Sequence, residues 1–271
     1  MPRAKRKIGW RRYVLFISII CGFIYYAEAR YNFLRLREIE VTPGNVIPEE
    51  VIWQTFPKRA ASFWPLLMSR NSSFEKGITH YYPVSAKLSI TGWGKYRLTL
   101  APLEIFLGVS WNSKMWWLSE DGRMWLANLP AATNVRGLKY PDKPILAWDS
   151  QMPMPVDQER QIGDIYPSSL PMAKIKKWYD TIDKIEWNKD IYCLIAKKIE
   201  GRQVVQILLG NAERITGEIV VKEDASDWLS LAAALKKQNI YPGISGEVPM
   251  GLSVNATYAN MKFTVSERGK M

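Results

Sequence analysis

Apolar residues run almost unbroken over residues 13–27, interrupted only by Ser18 and Gly22; beyond them the chain turns to short alternations and helical spacings. A helix over that stretch covers about 22 Å, short of a hydrocarbon core about 30 Å thick. It spans a bilayer only with help from its flanks. Ile8 and Trp10 extend the run, and Arg11 and Arg12 can reach back toward head groups. Trp10, Tyr25 and Tyr26 have the amphipathic rings that settle at the two interfaces.

The next 65 residues or so read as strand, helix, helix, strand, strand. Leu36, Ile39 and Val41 give a short strand with imperfect alternation over 36–41, and Thr42-Pro43-Gly44-Asn45 turns the chain. Pro48-Glu49-Glu50 opens a helix, with the acids at its positive end; Val51, Ile52, Thr55 and Phe56 continue it, and Pro57 stops it. Asn71, Ser72 or Ser73 caps a second helix that runs to about Tyr81. Val84, Ala86, Leu88 and Ile90 alternate, Gly92-Trp93-Gly94-Lys95 reverses the chain, and Tyr96, Leu98 and Leu100 line one face of the returning strand.

The second half is richer in strands. Met115-Trp116-Trp117-Leu118 and Met124-Trp125-Leu126 are arms of a hairpin over 111–126, with Asp121-Gly122 supplying its turn. A strand-like stretch over 142–148 precedes a Pro-rich passage. Ile175, Trp178, Tyr179 and Ile182 fall at i, i+3, i+4, i+7, an amphipathic helix. Strands follow at 191–199, 204–209 and 215–221, a helix at 225–238, and closing strands near 254–258 and 261–266. The pattern predicts an α+β chain with one N-terminal membrane helix.

Charge gives that helix a direction. Six of the 37 Lys/Arg precede it with no acid among them, whereas Arg30, Arg35 and Arg37 after it are offset by Glu28, Glu38 and Glu40. The bias places the N-terminus in the cytoplasm and the bulk of the chain outside, or in a periplasm. The remaining 31 cations face 26 acids, so the basic balance belongs mostly to the tail, and no nucleic-acid motif accompanies it. The competing reading is a cleaved secretory signal, because Ala27-Glu28-Ala29 has the small-x-small form of a cleavage site. Tyr25 and Tyr26 are bulky for the region before such a site.

Little chemistry is visible. There is no HExxH, metal-spaced Cys pair, P-loop or GxSxG. The lone histidine, His80, stands before Tyr81-Tyr82-Pro83 and reads as a surface or helix-end residue. Cys21 lies in the membrane run and Cys193 in a late strand, so no disulfide between them is expected. Glu120 and Asp121 are adjacent acids on a hairpin tip and point apart. A binder or scaffold without cofactor, metal or catalytic residues fits better than an enzyme. Twelve tryptophans raise carbohydrate binding, but Trp116, Trp117, Trp125, Trp178 and Trp228 stand where cores are filled.

Five segments carry a resemblance. LREIEVTPGNVIPEEVI, HYYPVSAKLSITGWGKYRLTLAP, WWLSEDGRMW, VVQILLG and VNATY follow one another in order and spacing across most of residues 10–266. Together they resemble the bacterial cell-division family FtsQ/DivIB. The resemblance implies a cytoplasmic basic tail over 1–12, a single transmembrane helix over 13–29 and a POTRA domain (β-α-α-β-β) over 35–103. A mostly antiparallel β domain with two amphipathic helices follows over 104–266, then a tail over 267–271. It implies a septal scaffold in the cytoplasmic (inner) membrane, bound to FtsB/DivIC-like and FtsL-like bitopic coiled-coil partners and, through the POTRA domain, to other divisome proteins, and helping control septal peptidoglycan synthesis. The chain departs from the family where Ala101-Pro102-Leu103-Glu104 replaces a Glu-Arg pair, and where Asn255 and Thr257 stand for an acid and an arginine.

The last strand offers a mechanism of its own. Met261, Phe263 and Val265 alternate with Lys262, Thr264 and Ser266. A terminal strand at a sheet edge leaves N–H and C=O groups unpaired and can accept a partner's strand. Tyr258, Met261, Lys262, Phe263, Thr264 and Val265 are therefore the expected partner-binding residues, and Lys262 suits an edge guarded against aggregation. The rival functions are an envelope protein that binds peptidoglycan or another carbohydrate, and one that assists protein export.

Overall fold

A computed structural model describes residues 10–31, 36–55, 71–157, 163–238, 252–257 and 263–267. The fold is α+β, with one N-terminal apolar helix and a large β-sheet. Contacts divide it into two compact units: residues 1–79 with 84–101, and residues 80–83 with 102–271.

The N-terminal helix α1 spans Trp10–Tyr31. Its 22 residues rise about 33 Å, so it is longer than the apolar run suggests. The added turns come from both flanks, and Ala27, Glu28 and Ala29 are inside the helix. Tyr13–Tyr31 is long and apolar enough to cross a membrane, with mean hydropathy 1.4 and no part of the span buried against protein.

Among the described residues, the rest of the first unit is a three-stranded sheet with two helices. Strands β1 (Glu38–Thr42), β2 (Val84–Gly92) and β3 (Lys95–Pro102) lie in the order β1-β3-β2, with β1 parallel to β3. Helix α2 is Glu49–Thr55 and helix α3 is Asn71–Thr79. Pro57 lies outside the described residues, as does the segment between the helices. Tyr96, Leu98 and Leu100 are all buried, together with Leu88, Val84, Ile52, Phe74 and Ile78. Alternation thus marks the core face of β3 as predicted, while Ile90 at the end of β2 remains exposed.

The second unit is built on a ten-stranded sheet. Its strands are β4 (Ile105–Trp111), β5 (Lys114–Ser119), β6 (Arg123–Leu126), β7 (Ile145–Trp148), β8 (Tyr166–Pro167), β9 (Ile191–Ile199), β10 (Arg202–Gly210), β11 (Ile215–Lys222), β12 (Leu252–Ala256) and β13 (Thr264–Glu267). The order is β13-β12-β11-β10-β9-β7-β4-β5-β6-β8. Three junctions are parallel, β12–β11, β9–β7 and β7–β4, and the other six are antiparallel. The α-helices among its described residues are the short α4 (Pro130–Thr133) and the longer α5 (Met172–Ile182) and α6 (Trp228–Lys237).

One core holds α5 and α6 against the sheet. Ile175, Trp178, Tyr179 and Ile182 of α5 join Trp228, Leu231 and Leu235 of α6 over Val109, Leu146, Leu194, Ile207, Ile219 and Val254. Trp178 stacks on Trp228 with ring centroids 6.2 Å apart, and each indole donates to a backbone carbonyl, of Glu223 at 2.6 Å and Lys222 at 3.0 Å. At the β4–β6 end a second core closes the opposite face, with Trp125 against Leu103, Ile105, Leu129, Ala132 and Ile165.

Strand β4 is the main departure from the sequence pattern. Ile-Phe-Leu-Gly-Val does not alternate, because these residues are buried on both faces of a strand flanked by β5 and β7. The strand-like stretch at 142–148 narrows to Ile145–Trp148. Tyr166–Pro167 in the Pro-rich passage forms a two-residue strand. Gly210, at the end of β10, has φ +116°, and a Cβ there would lie 2.2 Å from the Arg214 carbonyl oxygen, so the reversal into β11 requires glycine.

Candidate functional site

Four sheet edges exist among the described strands, and they differ in how they are closed. In the small sheet, β2 is met by α3: the Glu75 carboxylate accepts the Leu88 N–H at 2.8 Å. Strand β1 carries a charged row, with Glu38 paired to Lys95 at 2.7 Å and Glu40 to Arg97 at 2.9 Å. In the large sheet, β8 is two residues long and one of them is proline, which has no N–H to offer. The remaining edge is β13.

Among the described residues, strand β13 pairs on one side only. Val265 lies opposite Val254, Thr264 opposite Asn255 and Ser266 opposite Ser253. Val254 is fully buried on the helix side, so Val265 projects to that same face, yet it is 39% exposed. Thr264 and Ser266 are exposed on the other face. Phe263, just before the strand, packs partly buried against the main core. The chain is therefore pinned at Phe263 and opens to solvent along the next three residues. Of the other expected partner-binding residues, Tyr258, Met261 and Lys262 lie outside the described residues.

The face of the sheet away from α5 and α6 carries a polar row beside the buried Cys193, Val204, Leu208 and Val220. Lys197 donates to Gln206 at 2.5 Å, Gln206 to the Glu218 carboxylate at 2.6 Å, and Ser253 to the other Glu218 oxygen at 2.7 Å. This diagonal row links β9, β10, β11 and β12. Its last bond ties β12, which carries β13, to β11 through directly paired side chains. Asn255 ends the row by accepting both the N–H and the hydroxyl of Thr257, at 3.1 and 2.8 Å. Asn255 and Thr257 are thus spent on each other.

The titratable groups elsewhere are structural in their contacts. Burial pushes the Tyr179 hydroxyl well above its ordinary range, with the Cys193 and Asp183 charges adding to it; it donates to the Pro144 carbonyl at 2.7 Å. Burial also raises the Cys193 thiol, against a backbone hydrogen bond from Ala147, which disfavours the reactive thiolate. At the β5–β6 turn, burial pushes Asp121 up, but hydrogen bonds from Arg123 and Ser119 and the Arg123 charge outweigh it and hold the carboxyl below its usual value. The turn thus employs Asp121 structurally, beside Gly122 at φ +81°. No group of three His, Cys, Asp or Glu among the described residues is placed to hold a metal.

His80 is half-buried beyond α3, and its carbonyl accepts the N–H groups of Asp164 and Ile165. Trp116, Trp125, Trp148, Trp178, Trp187 and Trp228 are buried, whereas Trp10, Trp53 and Trp93 are exposed. On α1, Trp10, Tyr25 and Tyr26 are exposed; Arg11 and Arg12 belong to the same helix. Sequence reasoning found the terminal strand but missed the Lys197–Gln206–Glu218–Ser253 row. The outward positions of β9 to β12 carried the signal, but joining them needs the strand order. No protein-family model matches the chain, and no curated protein matches it.

Proposed function

We propose that this protein is a membrane-anchored, non-enzymatic scaffold of bacterial cell division, of the FtsQ/DivIB kind, which accepts a strand from a bitopic partner along β13. The observation that carries the reading is the open β13 edge. It is held rigidly by Phe263 and by the β12 register, and is the described edge with neither a helix, a charged row nor a proline to close it. A partner strand gains main-chain hydrogen bonds from the edge, and its alternate side chains meet Val265 on one face and Thr264 and Ser266 on the other.

The remaining features fit this role. The first unit's described order, strand, helix, helix, strand, strand, supports reading it as a POTRA module. Helix α1 serves as an uncleaved single-pass anchor with its N-terminus in the cytoplasm, and Ala27, Glu28 and Ala29 being helical supports retention. An anchor restricts the binding edge to the membrane surface, where FtsB/DivIC-like and FtsL-like partners are also held, and so raises its effective concentration toward them. The protein would then act at the septum by assembling others.

Successive amides of a strand point to opposite edges, so proline at Thr264 and proline at Val265 separate the two. One substitution removes a bond to β12; the other removes an open donor. In a pull-down with the coiled-coil partner, the variant lacking the open donor loses binding while its thermal unfolding stays as in the parent. Two variants that both bind like the parent would refute the edge. A fluorescent fusion is expected as a midcell band; a uniform peripheral signal would instead favour a general envelope anchor for export or peptidoglycan binding.

A further inference from the structure

We draw no further inference here: the strongest candidate, the groove between the outer face of α6 (Leu229, Ala232 and Ala233) and residues 184–187 before β9, crossed by the Lys236–Glu186 ion pair, is an unpartnered apolar face, and nothing in the structure shows what covers it.

Discussion

The two ends of the ten-stranded sheet are built on opposite plans. At the β8 end, both faces are packed: Met124 faces the main core, Trp125 fills the second, and the edge finishes in two residues and a proline. At the β13 end the helix side carries the main core, and Cys193, Val204, Leu208 and Val220 are buried on the other side. The other side carries the Lys197–Gln206–Glu218–Ser253 row, and the edge strand is exposed. The first plan draws stability from burial and leaves nothing to bind. The second adds a hydrogen-bonded row to its buried residues and leaves Thr264, Val265 and Ser266 exposed along the edge.

Substitutions at matched positions test this contrast. The largest effect is expected at the closed end: Trp125→Ala empties a fully buried site and should cost about 3–5 kcal/mol, read as a fall in the urea midpoint. Val254→Ala, equally buried but beside the open edge, should cost about 2 kcal/mol and weaken partner capture with it, since Val254 seats Val265. Equal losses at the two sites would remove the distinction between the ends.

Smaller effects sharpen it. Glu218→Ala leaves Gln206 and Ser253 without their shared acceptor and should cost about 1 kcal/mol; hydrogen exchange should rise first in β12 and β13 if the row holds that register. Asp121 supplies a pH test at the closed end. Its carboxyl is depressed in the fold, so its contribution is present above the unfolded value near 3.8 and is lost as pH falls through the lower folded value. Asp121→Asn should therefore cost up to about 1 kcal/mol at neutral pH, solvent screening at this half-exposed turn limiting it. Parent and variant should converge in acid; a gap that persists at the lowest pH would mean the carboxylate's charge is irrelevant there.

Elements that bury one face were readable from pattern. Helix α5 shows its spacing because only Ile175, Trp178, Tyr179 and Ile182 need be apolar, and all four are buried. Strands β9 and β11 begin and end within a residue of their expected limits. Strand β4 was lost because burial on both faces erases alternation. Strand β8 was lost because a Pro-rich passage carries no strand signal, and its pairing is decided by β6. Of the candidate edge, the terminal position of Thr264 and Val265 was legible. The packing of Phe263 against the core was not, since an apolar residue in a short strand says nothing of which neighbour it meets.

Composition and local periodicity by themselves determined that the chain has one apolar helix near its N-terminus, a mixed unit after it and a β-rich unit beyond that, because each is written in residues close together. Which strand stands at an edge, and which face carries the Lys197–Gln206–Glu218–Ser253 row, were decided only in three dimensions. Those facts depend on pairings between residues far apart in sequence, such as Glu38 with Lys95 and Glu218 with Ser253, and no local pattern encodes a partner at that distance.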